Sequence, residues 1–130
     1  MNIFEVLLLL LGLLVLGWLV YKWSVSQRLS ETVFQKYSVQ ILNTKKLNPA
    51  HAVLESHKLF VAALGTLFNG KKMTAAQTIA RVQKRFPNQR QIWRHHKLRN
   101  RIAHETEVTV LPTQAELARK DFVRALRSLR

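Results

Sequence analysis

The opening of this chain limits its fold more than any other feature. No Lys or Arg precedes Lys22, and Val6 to Tyr21 carries no charged side chain at all. From Ile3 to Trp23 the run is about 20 residues, which as a helix covers roughly 30 Å, the thickness of a bilayer's hydrocarbon core. Trp18, Tyr21 and Trp23 cluster at its far end, where rings with one apolar and one polar edge favour the membrane interface. Gly12 and Gly17 are tolerated in a membrane helix.

A cleaved signal peptide competes with a retained anchor. It needs a positive amino-terminal region and a short apolar core. Neither is found here, although Ser24-Val25-Ser26 resembles a weak cleavage site. The expectation is a single-pass anchor over residues 1–23. Glu5 alone marks its amino flank, whereas Lys22, Arg28 and Lys36 follow the span. By the positive-inside rule the amino terminus lies outside and the carboxyl domain is cytoplasmic.

The rest of the chain is strongly basic. Twenty-one Lys and Arg against seven Asp and Glu give a net charge of +14. Such an excess points to a polyanionic partner, whether RNA, DNA or anionic lipid. The absence of cysteine excludes disulfides, thiol catalysis and cysteine-ligated metals.

Periodicity predicts an all-α fold. Val25, Leu29, Val33, Tyr37 and Ile41 recur every four residues, so residues 24–47 read as a helical stalk and connector, or as a first helix packing on the domain. A domain over residues 48–130 follows. Asn48-Pro49 is a helix start and Asn69-Gly70 a stop. His57 falls on the apolar stripe of this helix and reads as a core histidine. Thr74 and Gln77 are spaced as a capping box for a short helix that ends before Pro87. Asn88 is placed to cap a helix reaching about His104, followed by a loop with an extended piece at Val108–Val110. Thr113 and Glu116 suggest another capping box, opening a helix that buries Ala118, Phe122, Ala125, Leu126 and Leu129. The expected architecture is a transmembrane helix and then a small four-helix bundle. Some 80 residues bury a limited core, which dimerisation would relieve.

Between Glu55 and Glu105 there is no acidic residue, while eleven Lys and Arg fall in the interval. From this tract Lys84, Arg85, Arg90, Arg94, His96, Lys97 and Arg101 are the candidate residues for binding an anion or RNA. The sharpest motif is Arg99-Asn100-Arg101-Ile102-Ala103-His104. Cleavage of RNA at a 2′-hydroxyl needs a base, an acid and charge stabilisation. A histidine titrating near neutrality and an arginine gripping phosphate supply these without a metal. Arg99, Asn100 and His104 are therefore the candidate catalytic set.

In this motif the sequence resembles the HEPN domains, whose signature is Arg, a polar residue, three further residues and His near the end of a bundle helix. The resemblance covers about Asn48 to Leu129 and leaves out the anchor. It implies a dimeric all-α domain and, in many members, a metal-independent endoribonuclease of toxin–antitoxin or defence systems. Arg99 and His104 of two protomers would then line a shared cleft, with an antitoxin or other regulatory protein as partner. Other members are non-catalytic, and the second reading is a module that binds RNA, anionic lipid or protein.

Plainer roles stand beside these. Arg99 or Arg101 could pair with Glu55, the only acid of the preceding long helix, as a structural contact. His104 could cap the end of its helix, where a cation suits the dipole. His95 and His96 invite a metal, but neighbours on a helix diverge by about 100° and chelate one ion poorly. No metal or cofactor is expected.

Overall fold

The computed structural model describes residues 1–26 and 28–130, with the side chains of residues 24–26 also outside the description. Val25, first in the expected stripe, and the cleavage-like Ser24–Ser26 fall among these. Every regular element described is helical. The main helices are α1 (Ile3–Ser26), α2 (Glu31–Asn43), α3 (Pro49–Gly65), α4 (Ala75–Val82), α5 (Gln89–His104) and α6 (Pro112–Arg127). Single 3-10 turns follow α2, α3 and α4.

Helix α1 has its amino end closed locally, where the Asn2 backbone N–H donates to Glu5 Oε2 at 3.1 Å. Its segment Ile3–Trp23 is long and apolar enough to cross a membrane, and none of it is buried by the rest of the chain. In water so large an exposed apolar surface is unfavourable. Near its far end the Lys22 ammonium lies 5.0 Å from the Trp18 ring centre.

Residues 24–44 do not form one continuous stalk. Helix α1 stops at Ser26, and α2 begins afresh after Ser30, whose hydroxyl accepts the Val33 N–H at 3.2 Å. Between them Leu29 is buried, and its N–H donates to the Leu129 carbonyl at 2.8 Å. Arg130 closes the same corner: its guanidinium bonds Glu31 at 3.1 Å and lies over the Phe34 ring. Helix α2 then packs Phe34, Ser38 and Ile41 against α3 and α6. The packed unit thus begins near Leu29 rather than Asn48 and contains α2 to α6, one helix more than the expected four.

Helix α3 is central, touching α2, α4, α5 and α6. Its start follows the sequence reading: Asn48 Oδ1 accepts the His51 N–H at 2.9 Å, with Pro49 in the first turn. Its end is approached through a 3-10 turn, and Asn69 and Gly70 both take positive φ, 46° and 75°. That left-handed pair reverses the chain at little cost because glycine has no Cβ and asparagine tolerates the region. The core is centred on Phe60, stacked on Phe122 with ring centres 4.7 Å apart and flanked by Phe86.

Two helix starts differ from expectation. Asn88 precedes α5 but makes no side-chain cap; it is buried, and its Nδ2 donates to the Asp121 carbonyl at 2.9 Å. Helix α6 opens two residues earlier than a Thr113 cap requires, with Leu111 at the cap position. Pro112 occupies the first turn and Gln114 Oε1 accepts the Leu111 N–H at 2.8 Å, while Glu116 turns outward to Lys120 at 2.9 Å. Proline's fixed φ favours that register over the Thr113–Glu116 box. Residues 105–111 form no strand.

Candidate polyanion-binding site

Helix α5 carries most of the candidate residues, and its geometry sorts them. Arg90, Arg94, Lys97 and Arg101 recur at i, i+4, i+7 and i+11. At about 100° and 1.5 Å per residue they form one narrow stripe roughly 16 Å long. All four are exposed. Arg101 pairs with Glu105 at 3.5 Å, and neither Arg90, Arg94 nor Lys97 forms an ion pair with a described carboxylate. Lys84 and Arg85 lie in the exposed 3-10 turn before α5. Partial burial and the positive charge of Arg28 hold the Arg85 guanidinium below its usual pKa. Like charges gathered in this way favour any anion that can lie across them.

The other face of α5 points inward and separates the two adjacent histidines. His96 turns toward α3, where its Nδ1 lies 2.9 Å from His57 Nε2. His95 turns toward α6, where its Nε2 lies 2.7 Å from Asp121 Oδ2. Both rings rest among aromatic side chains: His95, like His57, stands edge-on to Phe122, and His96 edge-on to Trp93. The two do not converge, and among the described residues no group of three His, Asp or Glu side chains is placed to hold a metal.

A chain of hydrogen bonds links the buried pair to the motif. Arg99 Nη1 donates to Asn100 Oδ1 at 3.2 Å. An arginine can only donate, so the Asn100 amide is oriented with its NH2 toward His96 Nε2, 3.3 Å away. That makes His96 Nε2 an acceptor and leaves its proton on Nδ1, which donates to His57 Nε2. The surroundings of both rings oppose protonation. Burial, then the charges of His96 and Arg99, push the His57 pKa down to about 3. Burial and Arg99 lower that of His96 as well.

Three expectations change here. His96 is only 8% exposed and both its ring nitrogens have partners, so it is not a surface ligand for an anion. Glu55 does not meet Arg99 or Arg101; its contacts are His51 at 3.9 Å and Lys58 at 3.8 Å on its own helix. Packing turns Glu55 sideways into solvent, because Ala52, Val53, Ser56 and His57 take the inward positions of α3. Arg99 is occupied instead by Asn100. Finally, Arg99 is half-buried while His104, on the last turn of α5, is exposed and makes no hydrogen bond. Five residues apart, they point about 140° away from each other around the axis, and within one protomer they do not share a groove.

Asp121 was not singled out by the sequence reading. Its signal was present: Ala118, Asp121, Phe122 and Ala125 fall at i, i+3, i+4 and i+7, on the buried stripe of α6. The only Asp of the chain on an apolar stripe needs a partner, and His95 is that partner.

No protein-family model matches this chain, and no curated protein or solved structure shows significant similarity to it.

Proposed function

We propose that this chain is a membrane-anchored, HEPN-like helical domain that binds RNA on the cytoplasmic side of the membrane. The reading is carried by the cationic stripe Arg90, Arg94, Lys97 and Arg101 along α5, which is exposed and, among the described residues, forms one ion pair, Arg101 with Glu105. A solvated face of a soluble helix ordinarily mixes both signs. Here the cations stand one turn apart, each able to reach a successive phosphate of a flexible strand. Helix α1, long and apolar enough to cross a membrane, supports the anchor, and the basic residues after it support a cytoplasmic bundle.

The test is RNA binding by the full chain in neutral detergent across a salt series. Four phosphate contacts to a single strand predict a slope of about −3 in log K against log salt. Replacing all four stripe residues by Ala should remove most of the slope. Binding that ignores salt, or that survives the fourfold variant, would overturn the proposal; preference for anionic vesicles over RNA would assign the stripe to lipid.

Cleavage is the second reading, favoured by one observation: the His104 side chain is exposed and makes no hydrogen bond to a described residue, so its ring is open to a proton-transfer partner. A second protomer would bring its own Arg99 opposite that histidine. If so, His104→Ala abolishes cleavage in EDTA and leaves RNA affinity nearly intact, whereas Arg99→Ala damages both. Intact RNA after prolonged incubation would leave the binding function alone.

A further inference from the structure

A groove of about 670 Å³ runs between α5 and α6. Arg94, Lys97 and Arg101 line it from α5, Leu98 and Leu117 form apolar walls, and Asp121 lies beside His95 within it. The carboxylate is the anomaly. A groove built only for phosphate would not contain a negative charge, which repels the ligand. Nor does Asp121 pair with the cations, because its side-chain partner is His95 and not Arg94, Lys97 or Arg101. The side chain keeps 18% of its surface open. A ligand that fits must therefore offer hydrogen-bond donors to the carboxylate, a flat apolar body to the leucines and an anion to the rim.

We propose that this groove is a nucleobase pocket that takes a guanine of single-stranded RNA, read by the Asp121 carboxylate. The inference rests on the RNA-binding function above and adds sequence preference to it. An ionised carboxylate has about four acceptor positions on its two oxygens, and His95 uses one. Guanine presents two adjacent donors on its pairing edge, N1–H and the 2-amino group, which match the two carboxylate oxygens side by side. Adenine offers one amino group beside an acceptor, and uracil one N–H between two carbonyls. Each would set an acceptor against the carboxylate. The volume lies within the usual range for a small-ligand site, roughly 300–1,000 Å³. The pocket is also preorganised. His95 is bonded to Asp121 at 2.7 Å and packed on Phe122, and Asn88 holds the Asp121 carbonyl at 2.9 Å. The carboxylate thus meets the base already oriented, as single-strand readers require when they bind unstacked bases by their pairing edges.

The experiment compares the pentamers UUGUU, UUAUU, UUUUU and the hypoxanthine analogue UUIUU, binding to the full chain in neutral detergent. Hypoxanthine keeps N1–H and lacks the 2-amino group. The guanine pentamer should bind about tenfold more tightly than the adenine one, the size of one bidentate contact, with hypoxanthine between them. Asp121→Asn should erase that order, bringing the guanine, hypoxanthine and adenine pentamers to one affinity. Leu117→Ala, at an exposed wall position, should weaken the guanine pentamer more than UUUUU. Equal affinity for all four pentamers in the unaltered protein overturns the pocket and leaves the RNA-binding function standing. Failure of every pentamer to bind, at low salt, overturns both. The four-way comparison needs no substitution, so poor folding of Asp121→Asn would not protect the proposal.

Discussion

A histidine buried without an acid beside it ties this domain's stability to pH. His57 is 2% exposed, and its pKa falls from 6.5 to about 3 on folding. Between those values the unfolded chain holds a proton that the folded chain refuses. Stability is therefore full above about pH 6.5 and declines as pH falls toward 3, with His96 acting in the same direction. At pH 4.5 the loss from His57 alone is about 3 kcal/mol. Urea unfolding at pH 7 and pH 4.5 measures it. His57→Gln keeps an acceptor near the position of Nε2 and cannot titrate, so it should remove at least half of the pH effect. A loss of the same size in that variant would place the sensitivity elsewhere. Glu55 makes the opposite case. Its contacts with His51 and Lys58 are long and its side chain is 36% exposed. Glu55→Ala should change stability by no more than about 0.5 kcal/mol. A cost of several kcal/mol would require the buried pair with Arg99 or Arg101 that the structure does not contain.

At the scale of elements, the caps are the clearest test of which local signals govern the fold. Asn48→Ala removes the bond to the His51 N–H and should cost about 1 kcal/mol, as should Thr74→Ala, which opens a reciprocal box with Gln77. Thr113→Ala should cost almost nothing, because α6 starts at Pro112 and the Leu111 N–H is held by Gln114. Thermal unfolding of the three variants separates them, and a Thr113→Ala loss equal to that of Asn48→Ala would restore the rejected box. The contrast shows what a local pattern can reveal. The starts of α3 and α4, the inward set of α6 and the buried place of His57 were legible because each depends on residues within one or two turns. The break at residues 28–30 was not. The four-residue periodicity runs through it, and the interruption is enforced from far along the chain by the Leu29 bond to Leu129 and the Glu31 bond to Arg130. The site divides in the same way. The exposed stripe of α5 followed from helical spacing. The pairings His57 with His96 and His95 with Asp121 join different helices, and spacing within α5 carries no information about which helix each histidine will meet.

For the whole molecule, the consequence is that the packed bundle extends to the amino-terminal side of the Asn48-Pro49 helix start. Asn48-Pro49 is a strong helix start, and an expected boundary there makes residues 48–130 a natural fragment. That fragment would lack α2. The chain before Asn48 contributes Leu29, Phe34 and Ile41, exposed by 4%, 5% and 0%, to the common core against α3 and α6. Each apolar side chain of this kind contributes about 1.5–3 kcal/mol when buried, so three together approach roughly 5–9 kcal/mol. A small domain has a total stability of about 5–15 kcal/mol. Losing α2 also uncovers the inner faces of α3 and α6 and frees Arg130 from Glu31. Residues 28–130 should therefore unfold cooperatively on heating, whereas residues 48–130 should melt without a sharp transition and bind a dye specific for exposed apolar surface. If the shorter fragment melted as sharply and at the same temperature, α2 would be a dispensable stalk after all. Its Phe34 and Ile41 would then be packed on the bundle without stabilising it.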